Sequence, residues 1–144
     1  MTAMNASFRW TEKYSVKIAA LDNQHKRLFA IINELNQALA NGEGKAATDS
    51  VLWKLVDYAK AHFAAEEALL AEYKFPETAS HRAEHDSFTQ SIAKFREDDR
   101  AGKPGVPVSL MLFLQDWLKE HILVNDKAYA SFLNAGECVN PRGS

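Results

Sequence analysis

Two pairs of side chains have the spacing of metal ligands on a helix. His62 lies four residues before Glu66, and His81 lies four residues before His85. Residues four apart share one face of an α-helix, so each pair can present two groups in one direction. Imidazole nitrogens and carboxylate oxygens are ligands for first-row transition metals. A lone His–Glu pair of this kind is usually a surface pair, so its interpretation depends on the rest of the chain.

A third pair, His121 and Asp126, has a less regular spacing. These residues are five apart, which corresponds to a rotation of ~140° around an α-helix. They are therefore not expected on one face, and both reach a common site only if that site lies between their directions. His25, the remaining histidine, taken alone is more often a packed or solvated residue than a ligand.

Four segments with helical periodicity carry these residues. Their apolar positions repeat at helical spacing over residues 21–40, 48–73, 77–99 and 107–133. Turns that contain glycine or proline separate the segments, and Thr48 or Asp49 is suited to cap the second helix. No strand pair is evident. Four helices of ~20 residues with short connections predict an all-α fold, an antiparallel up-down-up-down four-helix bundle.

We expect this bundle to be a single domain with an extension at each end. The chain divides into an N-terminal arm that packs on the bundle, the bundle itself and a C-terminal tail, at residues 1–20, 21–135 and 136–144. In the arm, Tyr14, Val16 and Ile18 alternate as in an extended segment that lies on an apolar surface. The only cysteine, Cys138, falls in the tail, which excludes an intrachain disulfide and fits a reducing compartment.

The composition argues against nucleic acid and membranes as partners. A net charge of −2 without a run of Lys or Arg provides no basic field for nucleic acid. No apolar run approaches the ~20 residues that span a bilayer, and the first ten residues lack the pattern of a secretory signal. We therefore expect a cytoplasmic monomer that neither binds nucleic acid nor inserts into a membrane.

All the histidines converge at one end of such a bundle. Neighbouring helices run in opposite directions, so the starts of the first and third helices are level with the ends of the second and fourth. Every histidine and its acidic partner lies near one of those ends. A buried imidazole cluster without a metal packs poorly and repels itself when protonated. We interpret the following seven residues as a metal site: His25, His62, Glu66, His81, His85, His121 and Asp126.

The donor set narrows the choice of metal. Five nitrogen and two carboxylate ligands exceed the four that a structural zinc prefers, and calcium and magnesium favour oxygen donors. Two octahedral first-row ions that share bridging carboxylates would use all seven groups. Iron fits this pattern, and manganese and cobalt stay open on donor type alone.

The order and spacing of these residues resemble those of the bacterial hemerythrins. The resemblance spans Phe8 to Leu133, and its motifs are Trp10–Glu12, Ser15–Val16, Asp22–Leu28, His62–Phe63, Glu66–Glu67, His81, His85–Asp86, His121–Ile122, Asp126–Lys127 and Tyr129. It implies a cofactor of two non-haem iron ions, Fe2+ or Fe3+, joined by an oxo or hydroxo bridge. It further implies reversible binding of dioxygen, for oxygen storage, transport or delivery.

The resemblance also assigns roles by position. It implies that His81, His85 and His121 bind one iron, that His25 and His62 bind the other, and that Glu66 and Asp126 bridge the pair. Oxygen is then expected at the iron with two histidines, inside an apolar pocket. Five residues that follow a ligand or lie within one turn of it are candidates for this pocket, although ordinary bundle core explains them too: Leu28, Phe63, Trp117, Leu118 and Ile122.

Three alternatives to an oxygen carrier are open. A ferritin-like di-iron oxidase builds its site from glutamates and Glu-x-x-His pairs, whereas no histidine here follows a glutamate by three residues. A sensor of oxygen, redox state or iron would use the same site and act through a partner, but a dedicated sensor usually carries a fused output domain, and we expect none here. A peroxidase shares the site as well. We expect a carrier without catalytic residues, and a protein partner that accepts the oxygen is compatible with the sequence.

Overall fold

Four long helices make up most of the part of the chain that the structure describes. The computed structural model describes residues 9–126 and 128–132. Helices α1 to α4 span Ala19–Ala40, Gly44–Glu72, Thr78–Arg100 and Val106–Trp117. Helix α4 continues as a π-helical stretch, Leu118–Asp126, called here the π segment. Residues 128–132 are again α-helical, and no strand occurs among the described residues. The predicted all-α, antiparallel up-down-up-down four-helix bundle is confirmed.

Short turns with unusual backbone angles connect the helices. Gly42, between α1 and α2, has a φ of +73°, and Gly105, immediately before α4, has a φ of +81°. Side chains with a Cβ atom disfavour this left-handed region, so glycine suits both positions. Pro76 stands between α2 and α3, where it prevents one helix from running into the next.

Two predicted helix assignments are corrected. Helix α2 begins at Gly44 and not at Thr48 or Asp49, because the preceding turn is tight enough for a new helix to start at once. Thr48 instead lies one turn into the helix, where its hydroxyl donates to the carbonyl of Gly44 at 2.7 Å. The fourth helix was predicted as α-helical to residue 133, but its second half is the π segment.

Part of the sequence-based prediction falls outside the described residues. This applies to residues 1–8 of the arm, to the end of the predicted fourth helix at Leu133 and to the tail with Cys138. Within the arm, Glu12–Tyr14 form a 3-10 turn and not an extended segment. The amides of Tyr14 and Ser15 there bond to carbonyls three residues earlier, at 3.0 Å each, and so are satisfied locally.

The apolar core has two parts. The main cluster fills most of the bundle and includes Leu28, Ile32, Leu35, Leu52, Leu55, Phe63, Phe88, Leu110, Leu118 and Ile122. The end cluster is smaller and consists of Val16, Leu21, Leu70, Phe75, Tyr129 and Ala130. On α1, His25 lies between Leu21 of the end cluster and Leu28 of the main cluster. The histidines therefore occupy the layer between the two apolar clusters.

The arm packs on the outside of this layer. The rings of Trp10 and Tyr14 contact Phe29 of α1 edge-on, with centroid distances of 5.6 and 4.6 Å. Val16 is fully buried in the end cluster. Among the described residues, none of the helices combines the length and the apolar character that crossing a bilayer requires.

Candidate metal centre

The structure brings all seven predicted metal-binding side chains together in the core. Each is at most 4% exposed to solvent: His25, His62, Glu66, His81, His85, His121 and Asp126. They come from α1, α2, α3 and the π segment that continues α4. Burying this many imidazoles and carboxylates is unfavourable unless their charges are compensated. The cluster therefore calls for cations at its centre.

Three histidines surround one oxygen of Glu66. The Nε2 atoms of His81, His85 and His121 lie 3.1, 2.8 and 3.5 Å from Glu66 Oε1. These four residues place ligand atoms within 4.8 Å of one another, close enough to hold a single metal ion. We call these residues the three-histidine set.

The other two histidines form a second group on the opposite side of the carboxylates. His25 Nε2 lies 3.1 Å from His62 Nε2 and 2.9 Å from Asp126 Oδ2. His62 Nε2 lies 3.2 Å from Glu66 Oε2. These four residues also place their ligand atoms within 4.8 Å of one another. We call them the two-histidine set.

Both carboxylates reach histidines of both sets, and each uses a different oxygen atom for each set. Glu66 turns Oε1 to the three-histidine set and Oε2 to His62. Asp126 turns Oδ1 to His81 at 2.9 Å and Oδ2 to His25 at 2.9 Å. A carboxylate that offers one oxygen to each of two neighbouring cations can bridge them. The donor set therefore fits two metal ions and not one.

The π segment explains how His121 and Asp126 reach the same centre. A π-helix pairs residue i with residue i+5, so residues five apart lie on one face, as residues four apart do in an α-helix. His121 Nε2 accordingly lies 3.3 Å from Asp126 Oδ1. The rotation of ~140° expected for a regular α-helix does not apply here.

Three of the histidines are held from behind by hydrogen bonds to their second ring nitrogen. The Nδ1 atoms of His62, His85 and His121 lie 2.6, 2.8 and 3.3 Å from oxygens of Gln24, Glu67 and Glu84. A carboxylate or amide oxygen only accepts hydrogen bonds, so the ring proton resides on Nδ1. In a neutral ring, Nε2 then turns a lone pair towards the central carboxylates. The lone pairs of nitrogen and oxygen then face and repel one another. A metal ion between them would accept both, so these residues fit a metal cofactor.

Without a metal, protons have to provide the missing positive charge. Burial alone would raise the pKa of Glu66, but the imidazoles of His121 and its neighbours hold it well below the usual range. Burial lowers the pKa of His81 and His121, but Asp126 and Glu66 outweigh it and raise these values to about 9 and about 10. Burial lowers the pKa of His62. In the absence of a cation, the three-histidine set therefore retains protons.

Three histidines of the centre are each covered by an aromatic ring. Phe63 stacks on His85 with a centroid distance of 3.8 Å, and Trp117 stacks on His121 at 4.1 Å. Tyr58 lies nearly parallel to His62 at 5.2 Å. The predicted pocket residues Leu28, Phe63, Leu118 and Ile122 are buried in the main cluster, and Trp117 packs against it. These side chains exclude water from one side of the centre.

Five polar residues that contact the centre were not predicted to do so. Gln24, Glu67 and Glu84 hold histidines from behind, Tyr129 donates from its hydroxyl to Glu66 Oε2 at 2.6 Å, and Tyr58 covers His62. Tyr58 precedes His62 by four residues, so helical spacing could have identified it. Contacts between different helices, such as that of Gln24 with His62, leave no comparable signal in the sequence.

The chain is similar in sequence and in structure to several known proteins. A family profile described as "Hemerythrin HHE cation binding domain" matches residues 16–133. The "Bacteriohemerythrin" of Stenotrophomonas maltophilia is 33% identical over 126 residues, which cover 88% of this chain and 81% of that protein. The "Hemerythrin-like protein" of Naegleria gruberi is 33% identical over 132 residues, which cover 92% of this chain and 98% of that protein. A crystal structure titled as wild-type hemerythrin superimposes with a TM-score of 0.78 at 31% identity, covering 88% of this chain and 97% of that one.

Proposed function

This chain belongs to the hemerythrin family, and from that premise we propose that it binds dioxygen reversibly at a non-haem di-iron centre. The seven buried residues would hold the two irons, and the protein would store, transport or deliver oxygen without transforming a substrate. Dioxygen would then be the ligand, and the cofactor would be two non-haem iron ions, ferrous or ferric, with an oxo or hydroxo bridge. All seven residues come from one chain, so a single chain contains the whole proposed centre, and we propose a monomer as the functional unit.

The division of the carboxylate oxygens between the two sets carries this proposal. Glu66 and Asp126 each direct one oxygen to each set, which suits two ions at bridging distance. The three-histidine set offers one more imidazole than the two-histidine set. The second iron would therefore have one protein ligand fewer and an open position for a small molecule.

The protein supplies positioning, charge compensation and protection from water. A di-iron centre held there supplies electrons for reversible binding of dioxygen. Tyr129 fixes the orientation of Glu66 by a hydrogen bond of 2.6 Å. The rings of Phe63 and Trp117 cover the histidines, so bulk water and its protons have restricted access to the bound ligand.

The nitrogen-rich donor set supports a carrier over a di-iron oxidase. Ferritin-like oxidases use mainly glutamate ligands, and anionic oxygen donors favour the high-valent iron that oxidation of a substrate requires. This centre has five imidazoles, which are neutral ligands once they bind a metal ion, and two carboxylates. The donor set therefore favours the ferrous and ferric states that reversible binding uses.

An anaerobic titration with ferrous iron, followed by air, tests the proposal. We expect two irons per chain and a visible absorption band that appears in air and fades under vacuum. Binding of two irons followed by direct conversion to a stable diferric form would reject the carrier function in favour of a redox sensor or oxidase. Failure to bind two irons would overturn the di-iron centre itself.

A pair of matched variants tests whether the bridging carboxylate matters. Glu66→Gln keeps the shape of the side chain but removes its negative charge, so we expect fewer than two irons per chain. Glu34→Gln serves as the control because Glu34 pairs with Lys54 on the surface, 2.7 Å away. Iron content measured on both purified variants decides the question. Two tightly bound irons in Glu66→Gln would contradict the bridging role.

A further inference from the structure

Two buried hydrogen-bond donors beside the metal centre lack a partner of good geometry. The hydroxyl of Tyr58 and the indole Nε1 of Trp117 are both inaccessible to solvent, and neither makes a hydrogen bond of good geometry to any part of the chain that the structure describes. The two groups interact with each other only weakly, through the indole N–H and the phenol oxygen. Tyr58 as a whole is only 1% exposed. Buried polar groups almost always have a partner in folded proteins, so two neighbouring exceptions require an explanation.

Both donors lie against histidines of the centre. The ring of Tyr58 runs nearly parallel to that of His62, with an interplanar angle of 16° and a centroid distance of 5.2 Å. The indole of Trp117 stacks on His121, at 14° and 4.1 Å. His62 belongs to the two-histidine set and His121 to the three-histidine set, and their rings are 6.3 Å apart. The two donors therefore flank the region where the sets meet.

The chemistry of the donors defines what they can bind. The indole N–H of Trp117 only donates, so its partner must be an acceptor. The phenolic O–H of Tyr58 can donate a hydrogen bond as well as accept one. A small ligand with a lone pair on its outer atom matches both groups.

We propose that Tyr58 and Trp117 form a hydrogen-bonding subsite for the outer atom of a small acceptor ligand held at the two-histidine set. This inference rests on the proposed function, since that set provides the open position. The apolar pocket expected from the sequence thereby acquires a polar side, which favours ligands with an electron-rich terminal atom over ligands held by the metal alone. Small anions such as azide belong to this class.

Azide titration of the iron-loaded diferric protein tests the subsite. We expect Tyr58→Phe to weaken azide binding about tenfold, the usual effect of losing a hydrogen bond to a charged group, with iron content unchanged. Trp117→Phe should weaken it in the same direction. Tyr73→Phe is the matched control, because Tyr73 is 39% exposed at the end of α2. Equal azide affinity in wild type and Tyr58→Phe would overturn the proposal.

Two further readouts separate this subsite from a structural role of the hydroxyl. The infrared stretch of bound azide should shift between H2O and D2O in the wild type and not in Tyr58→Phe. The thermal unfolding temperature of the metal-free protein should change little in Tyr58→Phe, because the hydroxyl has no hydrogen bond of good geometry to lose. A lower melting temperature together with unchanged azide binding would assign Tyr58 to the core alone. Failure of the wild type to bind two irons would instead reject the proposed function.

Discussion

At the scale of single residues, the centre is asymmetric in the charge of its outer hydrogen-bond partners. Two histidines of the three-histidine set, His85 and His121, bond through Nδ1 to carboxylates. In the two-histidine set, His62 bonds to the neutral amide of Gln24, and Nδ1 of His25 has no partner among the described residues. A carboxylate partner makes an imidazole a stronger electron donor. The two proposed irons are therefore expected to differ in electron density.

The variant Glu67→Gln tests this asymmetry. The new amide oxygen would still accept the hydrogen bond from His85, which is 2.8 Å from Glu67 in the wild type, but without a negative charge. We expect iron affinity to fall about tenfold, the lower end of the usual effect of such partners, and the midpoint potential to rise. Competition with a chelator and a redox titration measure the two quantities. Glu72→Gln, at an exposed position near the end of the same helix, should change neither; equal losses in both variants would contradict the role of Glu67.

The raised pKa values of His81 and His121 predict how the metal-free protein responds to pH. Burial opposes protonation, but the carboxylates raise these values to about 9 and about 10, above ~6.5 for unfolded histidine. The protonated rings therefore stabilise the fold fully below pH ~6.5, and this contribution is lost as the pH rises through the folded-state values. We expect the melting temperature of the metal-free protein to drop by several degrees between pH ~7 and pH ~10.

The iron-loaded protein provides the comparison for this prediction. Metal ions displace the protons from the Nε2 atoms, so the same pH change should have little effect on the loaded form. Calorimetric scans of both forms at matched pH values measure the difference. Parallel melting curves over this range would show that protons do not substitute for the metal.

At the scale of elements, the helices were predictable from the sequence and the distortion of one of them was not. Apolar periodicity and turn residues predicted four helices, because these signals are local. The π segment depends on packing of Leu118 and Ile122 in the main cluster while His121 and Asp126 face the centre. The five-residue spacing of His121 and Asp126 was visible in the sequence. Only the structure shows that the backbone there becomes π-helical, which places both residues on one face. The start of α2 was mispredicted at Thr48 because threonine, although a good capping residue, can also lie inside a helix when its hydroxyl bonds to a carbonyl one turn earlier.

The turn before α4 permits a stability prediction at this scale. Gly105 has a φ of +81°, and a Cβ atom there would meet no neighbouring atom within 4 Å. Gly105→Ala therefore isolates backbone strain, which we expect to cost about 1 kcal/mol of unfolding free energy. Gly105→Asn should cost less, because asparagine tolerates the left-handed region. Urea denaturation measures both; equal stability of Gly105→Ala and wild type would contradict the strain.

At the scale of the whole molecule, the metal centre joins two apolar clusters of unequal size. The main cluster extends through most of the four helices, whereas the end cluster consists of six buried residues among those that the structure describes. Tyr129 connects the end cluster directly to the centre through its hydrogen bond to Glu66. A small cluster buries too little apolar surface to resist local opening by itself. The stability of this end of the bundle should therefore depend on the centre.

Removal of the metal is expected to loosen one end of the bundle more than the other. With the iron chelated, only protons hold the buried carboxylates and imidazoles together, so segments beyond the centre should open more often. We expect amide hydrogen exchange at Leu69–Phe75, beside the end cluster, to accelerate about tenfold or more, which corresponds to ~1.4 kcal/mol of local stability. Exchange at Val51–Leu55, deep in the main cluster, should change far less. Mass spectrometry of both forms resolves these segments. An equal acceleration in the two segments would contradict this expectation. It would mean that the metal stabilises the whole bundle as one cooperative unit, and not mainly the end cluster.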